Sequence, residues 1–220
     1  MSLNTFEIIS YTSQTSESVV RLKKALGQAT PKALKYGISV SKIEQYQFFK
    51  DNNIPHPEWS INKEDALFWQ QAGEIVLARA TIKGQTGSGI TVVQPNDEMP
   101  DAKVYTMYLK KKREFRVNIF QNQVVNLREK LKQKQEGLSY IRNKANGYTT
   151  AHCKPMTKDL KSLVESVALE ARKASPSDFV GVDVGYNEFY NKVFVLEVNG
   201  GPSIEGSSVQ EYIEAMYATN

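Results

Sequence analysis

The clearest hydrophobic pattern lies near the C-terminal end, where two apolar runs flank a short polar turn. The first run reads Phe-Val-Gly-Val-Asp-Val-Gly from Phe179, and the second reads Val-Phe-Val-Leu-Glu-Val-Asn from Val193. Two such runs joined by a turn predict a β-hairpin. Polar side chains interrupt both runs, Asp183 in the first and Glu197 and Asn199 in the second. Because an unpaired carboxylate is costly to bury, these interruptions indicate a binding role.

These three polar residues are predicted to share one face of the hairpin. Residues two apart in a strand point to the same side, which groups Glu197 with Asn199. The simplest strand register adds Asp183 from the neighbouring strand. Two carboxylates and an amide oxygen suit Mg²⁺, and without metal the two carboxylates would repel each other. The alternative is the polar face of a solvated sheet.

The rest of the chain alternates between strand-like and helix-like segments. Helical spacing predicts helices over residues 16–26, 41–51, 160–171 and 208–217, the second opened by a Ser-x-x-Glu capping box at Ser41. Apolar runs predict strands that begin near Phe6, Ile75, Thr91, Val104, Phe115 and Val124. Residues 130–136 are charged without an apolar face and predict an exposed loop or ribbon. The fold class that follows is α+β.

Composition excludes several functional classes. Of 220 residues, 40% are hydrophobic and 24% are charged, as in ordinary globular proteins. The sequence has no membrane-length apolar run and no signal-like start, so we expect a cytoplasmic protein without a membrane partner. Its one cysteine, Cys153, cannot form an intrachain disulfide. The net charge of +4 suits an anionic ligand such as a nucleotide.

A glycine-rich turn lies between two predicted strands and reads Lys-Gly-Gln-Thr-Gly-Ser-Gly from Lys83. Glycines allow backbone N–H groups to approach a phosphate closely. The turn lacks the Gly-Lys-Ser/Thr of a P-loop, and alone it is a weak signal.

The run from Glu197 to Gly206, Glu-Val-Asn-Gly-Gly-Pro-Ser-Ile-Glu-Gly, resembles the metal-binding strand of ATP-grasp ligases. The nearest likeness is to the branch that adds glutamate to ribosomal protein or peptide tails, where it reads Glu-Val-Asn-Ala-Ser-Pro-Gly-Leu-Glu-Gly. Ser203 stands where that branch has glycine. Further motifs follow in the family's order from Ser41 onward, and the whole pattern is similar to bacteriophage-encoded ATP-grasp proteins.

This resemblance implies an ATP-grasp fold, in which two α+β lobes clasp the nucleotide. It divides the chain into a reduced N-terminal α/β unit (residues 1–40), a first helix and lid lobe with the glycine-rich loop (41–109), and a C-terminal lobe with the metal site (110–220). The N-terminal unit is short compared with the larger domain that usually precedes this fold.

The resemblance also implies roles for individual residues. Asp183, Glu197 and Asn199 would bind Mg²⁺, with two ions expected. Arg79 takes the place of the family's phosphate-gripping lysine, and arginine keeps the charge. The nucleotide would further contact Lys42, Lys83, Gly87, Ser88, Gly89, Met107, Tyr108 and Leu109, the last three through main-chain groups that read adenine. A solvated lysine at the helix start is an equal alternative for Lys42.

The catalytic residues implied by the resemblance are Arg116, Arg142 and Asn143. Arg116 matches the arginine of the family's Asp-Ile-Arg, with Glu114 in the place of the acid. Arg142 would stabilise charge on the γ-phosphoryl group, with Asn143 nearby.

The activity implied is ADP-forming ligation of a carboxylate to an amine through an acyl phosphate, with ATP and Mg²⁺ and with a protein or peptide tail among the substrates. The alternative is a nucleotide-binding module that lost ligase chemistry and uses the basic residues 110–113 for nucleic acid or a partner protein. The intact Asp183, Glu197 and Asn199 argue against that alternative, so nucleic acid is the less favoured partner. The oligomeric state stays open.

Overall fold

A computed structural model of the protein describes residues 6–11, 16–26, 32–82, 89–133 and 139–218. Lys83, Gly87 and Ser88 of the predicted phosphate loop lie outside the described residues. None of the helices within the described ranges is long and apolar enough to cross a membrane.

The N-terminal unit is a small βαβ arrangement. It consists of β1 (Phe6–Ser10), α1 (Glu17–Leu26) and β2 (Lys32–Tyr36), and the two strands pair in parallel. Its apolar side chains share a core with the C-terminal helix α5 (Ser207–Ala218). The Tyr36 hydroxyl donates a hydrogen bond to the Pro202 carbonyl at 2.6 Å. The unit is therefore packed onto the C-terminal part of the chain.

A four-stranded antiparallel sheet forms a small lobe. The strands of this sheet are β3 (Trp59–Ser60), β4 (Val76–Arg79), β5 (Ile90–Val93) and β6 (Val104–Met107), and the lobe also contains the helix α3 (Lys63–Gln71). The strand order is β3-β6-β4-β5. Val76, Val93 and Tyr105 form the centre of its core. The strands near Ile75, Thr91 and Val104 are confirmed.

A five-stranded antiparallel sheet forms the large lobe, in the order β11-β10-β7-β8-β9. Its elements are β7 (Arg113–Phe120), β8 (Gln123–Lys132), β9 (Tyr148–His152), α4 (Lys158–Ala171), β10 (Phe179–Asn187) and β11 (Lys192–Asn199). On one face, Val117, Val182 and Val195 pack under α4. On the other face, α5 covers the end that carries Phe120 and Phe179. Of the exposed loop or ribbon predicted over residues 130–136, the loop is wrong at its start, because β8 continues through Lys132, and the Lys130 side chain is largely buried.

Helix α2 (Lys42–Asp51) joins the two lobes. Its predicted capping box is confirmed, since Ser41 and Glu44 exchange side-chain-to-backbone hydrogen bonds. The helix and the loop after it accept hydrogen bonds from backbone amides at the edge of β11. The Val195 amide donates to the Pro55 carbonyl at 2.7 Å, and the Val198 amide donates to Gln45 Oε1 at 2.9 Å. This arrangement brings Lys42, at the start of the helix, beside the large sheet.

Candidate functional site

The register of the β10–β11 hairpin confirms that its three polar residues share one face. Asp183 lies opposite Glu197, and Gly181 lies opposite Asn199. A bulge leaves Leu196 without a direct partner, because Val184 pairs with Val195. Directly paired residues of antiparallel strands point to the same side. Asp183, Glu197 and Asn199 therefore line the face opposite α4.

Asp183 is almost fully buried, at 4% exposure, and two cations compensate its charge. Arg116, its partner across β7, donates through Nε at 2.5 Å and through Nη2 at 3.0 Å. Lys130 Nζ donates to the same carboxylate at 2.9 Å. Burial opposes ionisation, but these two cations outweigh it and hold the pKa of Asp183 well below its usual range. Gly181 allows this geometry, because a Cβ there would lie 3.0 Å from Arg116 Nη1.

Glu197 pairs with Lys42, whose ammonium lies 2.6 Å from Glu197 Oε1. Burial lowers the pKa of Lys42, with Glu197 opposing the shift, and Lys42 holds the pKa of Glu197 low against its own burial. Lys42 is only 5% exposed, which excludes the alternative of a solvated lysine at the helix start. Asp183 acts to raise the pKa of Glu197, as expected of two neighbouring carboxylates, but each of them has its own cation without a metal.

The charged network continues beyond Asp183 along the same face. Lys130 also donates to Glu114 at 2.7 Å, and Lys111 Nζ lies 3.6 Å from the other oxygen of Glu114. Glu114 is buried, in the position that the resemblance gave to an acid. Sequence reasoning missed Lys111 and Lys130, because each lies in a basic run typical of solvent-exposed segments.

Arg79, at the end of β4, faces the same region from the small lobe. Its Nε is buried and has no hydrogen-bond partner among the described residues. Burial raises the pKa of the Tyr46 hydroxyl, and the nearby Arg79 guanidinium opposes that rise; the hydroxyl donates to the Leu196 carbonyl at 3.3 Å. Tyr46 therefore connects Arg79 to the bulge beside Glu197. An unpaired buried guanidinium N–H suits an anionic ligand, because arginine binds phosphate oxygens well.

Arg142 and Asn143 lie farther along the face and make structural contacts. Arg142 Nη2 donates to the carbonyls of Lys111 and Lys112 at 2.9 and 3.2 Å, and its guanidinium lies 5.7 Å from the Tyr148 ring centre. Asn143 Oδ1 accepts from the Asn146 amide at the start of a 3₁₀ turn. Their catalytic assignment stays a prediction.

The predicted adenine-reading segment begins at Met107, the last residue of β6, and continues between the lobes. The Met107 amide already donates to the Glu58 carbonyl at 2.9 Å, and the Tyr108 amide donates to the Ile75 carbonyl at 2.8 Å. Of the three backbone amides, that of Leu109 is the one available to adenine, because it has no hydrogen-bond partner among the described residues. At the far end of the glycine-rich loop, Gly89 has a φ of +73°, which favours glycine.

Among the described residues, six cationic side chains surround three carboxylates in this region. The cations are Lys42, Arg79, Lys111, Arg116, Lys130 and Arg142, and the carboxylates are Glu114, Asp183 and Glu197. The formal excess of three positive charges suits a polyphosphate. No group of three or more His, Cys, Asp and Glu side chains suited to a metal occurs in the described ranges. Two carboxylates and the Asn199 amide nevertheless fit Mg²⁺, which commonly binds one or two carboxylates plus substrate phosphates.

Solved structures share this architecture at low sequence identity. The D-alanine–D-alanine ligase from Bacillus anthracis matches with a TM-score of 0.61 at 14% identity, over 92% of this chain and 70% of that chain. The ATP-grasp ligase PsnB, complexed with a minimal precursor, matches with a TM-score of 0.61 at 17% identity, over 92% and 69%. N5-carboxyaminoimidazole ribonucleotide synthetase from Thermotoga maritima matches with a TM-score of 0.55 at 15% identity, over 80% and 48%.

These similarities show that the chain has the ATP-grasp fold and confirm the predicted α+β class. No family model and no curated protein sequence matches the chain. The likeness to bacteriophage proteins is not tested by these comparisons and stays a prediction.

Proposed function

We propose that the protein is an ATP-dependent, ADP-forming ligase that joins a carboxylate to an amine. The observation that carries the proposal is the charged face between the lobes, where Asp183, Glu197 and Asn199 meet cations from both sheets. This combination of oxygen ligands and cations is what a nucleoside triphosphate with Mg²⁺ requires. The ATP-grasp fold supports the same conclusion.

Asp183, Glu197 and Asn199 would hold Mg²⁺, with two ions expected, and the metal would neutralise charge on the phosphate oxygens. Arg79 and Lys42 are assigned to the phosphates, because both lie beside Glu197 at the lobe interface. When ATP and metal bind, Lys42 would exchange its contact with Glu197 for one with a phosphate. Arg116 and Lys130 would continue to hold the carboxylate of Asp183 in place.

The proposed chemistry requires positioning and charge neutralisation more than a protein base. A substrate carboxylate oxygen attacks the γ-phosphorus, the bond to the β–γ bridging oxygen breaks, and ADP leaves. The resulting acyl phosphate is attacked by the amine at its carbonyl carbon. The C–O bond to phosphate then breaks, and hydrogen phosphate leaves with the proton that the amine loses. The charged network around Asp183 would stabilise the negative charge that develops during both steps.

A protein or peptide tail is the substrate class that we propose. The PsnB ligase, whose fold this chain shares, has been solved with a precursor peptide and AMPPNP, and separately with a minimal precursor, Mg and ADP. The cytoplasm, or the host cytoplasm for a phage protein, is the proposed location.

Thermal unfolding with ATP and Mg²⁺ tests the nucleotide site. A ligand selective for the folded state stabilises it by about 2.7 kcal/mol at a hundredfold excess over its Kd. We expect ATP with Mg²⁺ to raise Tm more than either alone. A folded sample with no shift at millimolar nucleotide contradicts the proposal. ADP release against pools of amino acids and peptides then tests the ligase step.

A nucleotide-binding module without ligase activity is the second candidate. It is favoured by the cations that already neutralise both proposed metal-binding carboxylates. This candidate predicts a Tm increase with ATP that needs no Mg²⁺, and no ADP release with any acid and amine pair. The two measurements above therefore separate the candidates.

A further inference from the structure

The basic segment before β7 is divided between the interior and the solvent. Lys111 and Arg113 turn inward and pair with Glu114 and Glu129. Lys110 and Lys112 are exposed. Of this segment, the charged network of the proposed ligase site includes only Lys111, so the outward lysines need a separate explanation.

These outward lysines lie beside the tip of the β10–β11 hairpin. The Lys112 amide donates to the Tyr186 carbonyl at 2.9 Å, and Asn187 Nδ2 donates to the Lys110 carbonyl at 2.9 Å. We define the hairpin-tip patch as Lys110, Lys112, Phe189, Tyr190 and Lys192. It combines three exposed lysines with two exposed aromatic side chains.

The two aromatic residues are unusually exposed for their size. Phe189 is 87% and Tyr190 is 66% exposed, and their rings meet edge to face with centres 4.8 Å apart. Adjacent exposed rings on one turn are a typical mark of a binding surface. Each ring leaves a face open to solvent on which a planar group could stack.

Side chains of the hairpin hold this turn in one conformation. Asn187 Oδ1 accepts from the Tyr190 amide at 3.1 Å, and the Tyr186 hydroxyl donates to Asn191 Oδ1 at 3.0 Å. The aromatic pair is therefore presented on an ordered support. Little conformational entropy would be lost when a ligand binds.

The charge of the patch indicates what kind of ligand it fits. Glu188 is the acid at the tip and pairs with Lys112, which leaves a formal excess of two positive charges. Lysine is depleted in protein–protein interfaces, whereas lysines beside exposed aromatic rings are typical of surfaces that bind single strands. The combination favours a flexible polyanion with planar groups over a folded protein partner.

We propose that the hairpin-tip patch binds single-stranded nucleic acid without sequence preference. Bases stack on Phe189 and Tyr190, and backbone phosphates pair with Lys110 and Lys192. This binding is independent of the proposed ligase chemistry.

Fluorescence anisotropy with labelled twelve-nucleotide oligo(U) and oligo(dT) tests the proposal. We expect binding in the range of about 1–100 µM that weakens as salt increases. The double variant F189A/Y190A should bind at least about tenfold more weakly, because stacking on each ring contributes to affinity. The double variant K110E/K192E should also reduce the salt dependence, with a slope change of about 0.7 per lost phosphate contact.

Phe68→Ala is the matched control. Phe68 is 70% exposed on α3, but its helix carries Glu64 and Asp65 in the first turn. Its removal should leave oligonucleotide affinity unchanged. Circular dichroism of every variant checks that the fold is kept.

Three outcomes overturn the proposal. The first is no binding of either oligonucleotide by the wild-type protein, and the second is binding that F189A/Y190A does not weaken. The third is an affinity for a duplex of the same length equal to that for the single strand, because the bases of a duplex are not available to stack on the two rings. Binding to phosphatidylserine vesicles but to neither oligonucleotide would assign the patch to a membrane surface instead.

Discussion

Val182 and Asp183 are neighbours in β10, yet they point to opposite faces of the large sheet and depend on different forces. Val182 is fully buried among the aliphatic side chains under α4. Asp183 is nearly as buried, but it is surrounded by Arg116 and Lys130. The apolar face is stabilised by area removed from water, which does not depend on any one partner. The charged face is stable only while each charge keeps its partner.

Because of this difference, substitutions on the two faces have different consequences. On the α4 face, exchanging one aliphatic residue for another changes packing and leaves chemistry untouched. On the charged face, a change of one residue alters the charge of its neighbours and the affinity for an anionic ligand. Paired variants on the two faces can therefore separate stability from ligand binding.

The largest effect is expected for Asp183→Asn, compared with Val182→Ala. The amide leaves Arg116 and Lys130 without their shared carboxylate, and breaking a buried pair costs roughly 3–5 kcal/mol. Val182→Ala should cost about 2 kcal/mol through lost burial and a small cavity. Urea unfolding measures both. Of the two variants, Asp183→Asn alone should also lose the Tm increase with ATP and Mg²⁺. If both variants keep that increase, Asp183 is not part of the proposed metal site.

The next effect concerns Glu197 and its partner Lys42. Glu197→Gln should lower metal-free stability by about 1–3 kcal/mol, because the buried Lys42 ammonium loses its countercharge. In the same background, Lys42→Met removes that ammonium and should restore most of the loss. A double-mutant cycle from urea unfolding gives the coupling. Additive single effects would mean that the 2.6 Å contact between Lys42 and Glu197 contributes little.

The residue pattern alone predicted the carboxylates of the charged face, whereas Lys42 and Arg116 came from the resemblance and Lys130 was missed. Asp183 and Glu197 were identifiable because each interrupts an apolar strand, and the hairpin register then followed from alternation. Lys130 was not, because it opens a run of lysines and polar residues with one leucine, which is typical of an exposed segment. Its burial depends on pairing between β7 and β8, a tertiary fact that local pattern does not contain. For the same reason β2 and β9, short and partly polar, were missed.

A smaller effect is expected where the small lobe meets the charged face. Tyr46→Phe removes the hydroxyl that connects Arg79 to the Leu196 carbonyl, so Arg79 would be less well positioned for phosphate. We expect ATP affinity to fall roughly tenfold, about the worth of one hydrogen bond. Isothermal titration with ATP and Mg²⁺ measures this change.

Tyr105→Phe provides the control for Tyr46→Phe. Tyr105 is equally buried, and in the part of the chain that the structure describes its hydroxyl bonds within the small lobe, to the Pro100 carbonyl and the Ala102 amide. This variant should lose stability but keep ATP affinity. If both variants weaken ATP binding alike, the effect is a general loosening of the lobe and Tyr46 has no positioning role.

The smallest effect is the pH dependence that Asp183 and Glu197 give to the stability of the charged face. Burial disfavours ionised Asp183, but Arg116 and Lys130 hold its pKa below its usual range. Its contribution to stability is therefore complete above the unfolded pKa of about 3.9 and is lost as pH falls below that value. Burial likewise disfavours ionised Glu197, but Lys42 holds its pKa low. The contribution of Glu197 to stability is therefore also lost as pH falls below about 4.3. Each group should contribute a slope of at most about 1.4 kcal/mol per pH unit.

Other acids with lowered pKa values, such as Glu129 beside Arg113, add to the same acid loss. The informative quantity is therefore the difference between two proteins. The stability gap between wild type and Asp183→Asn, measured by urea unfolding from pH 6 to pH 3, should stay constant to about pH 4 and then narrow. The gap for Val182→Ala should stay constant throughout, because neither valine nor alanine binds a proton. If the stability difference between wild type and Asp183→Asn does not narrow below pH 4, the cations around Asp183 do not lower its pKa in the folded protein.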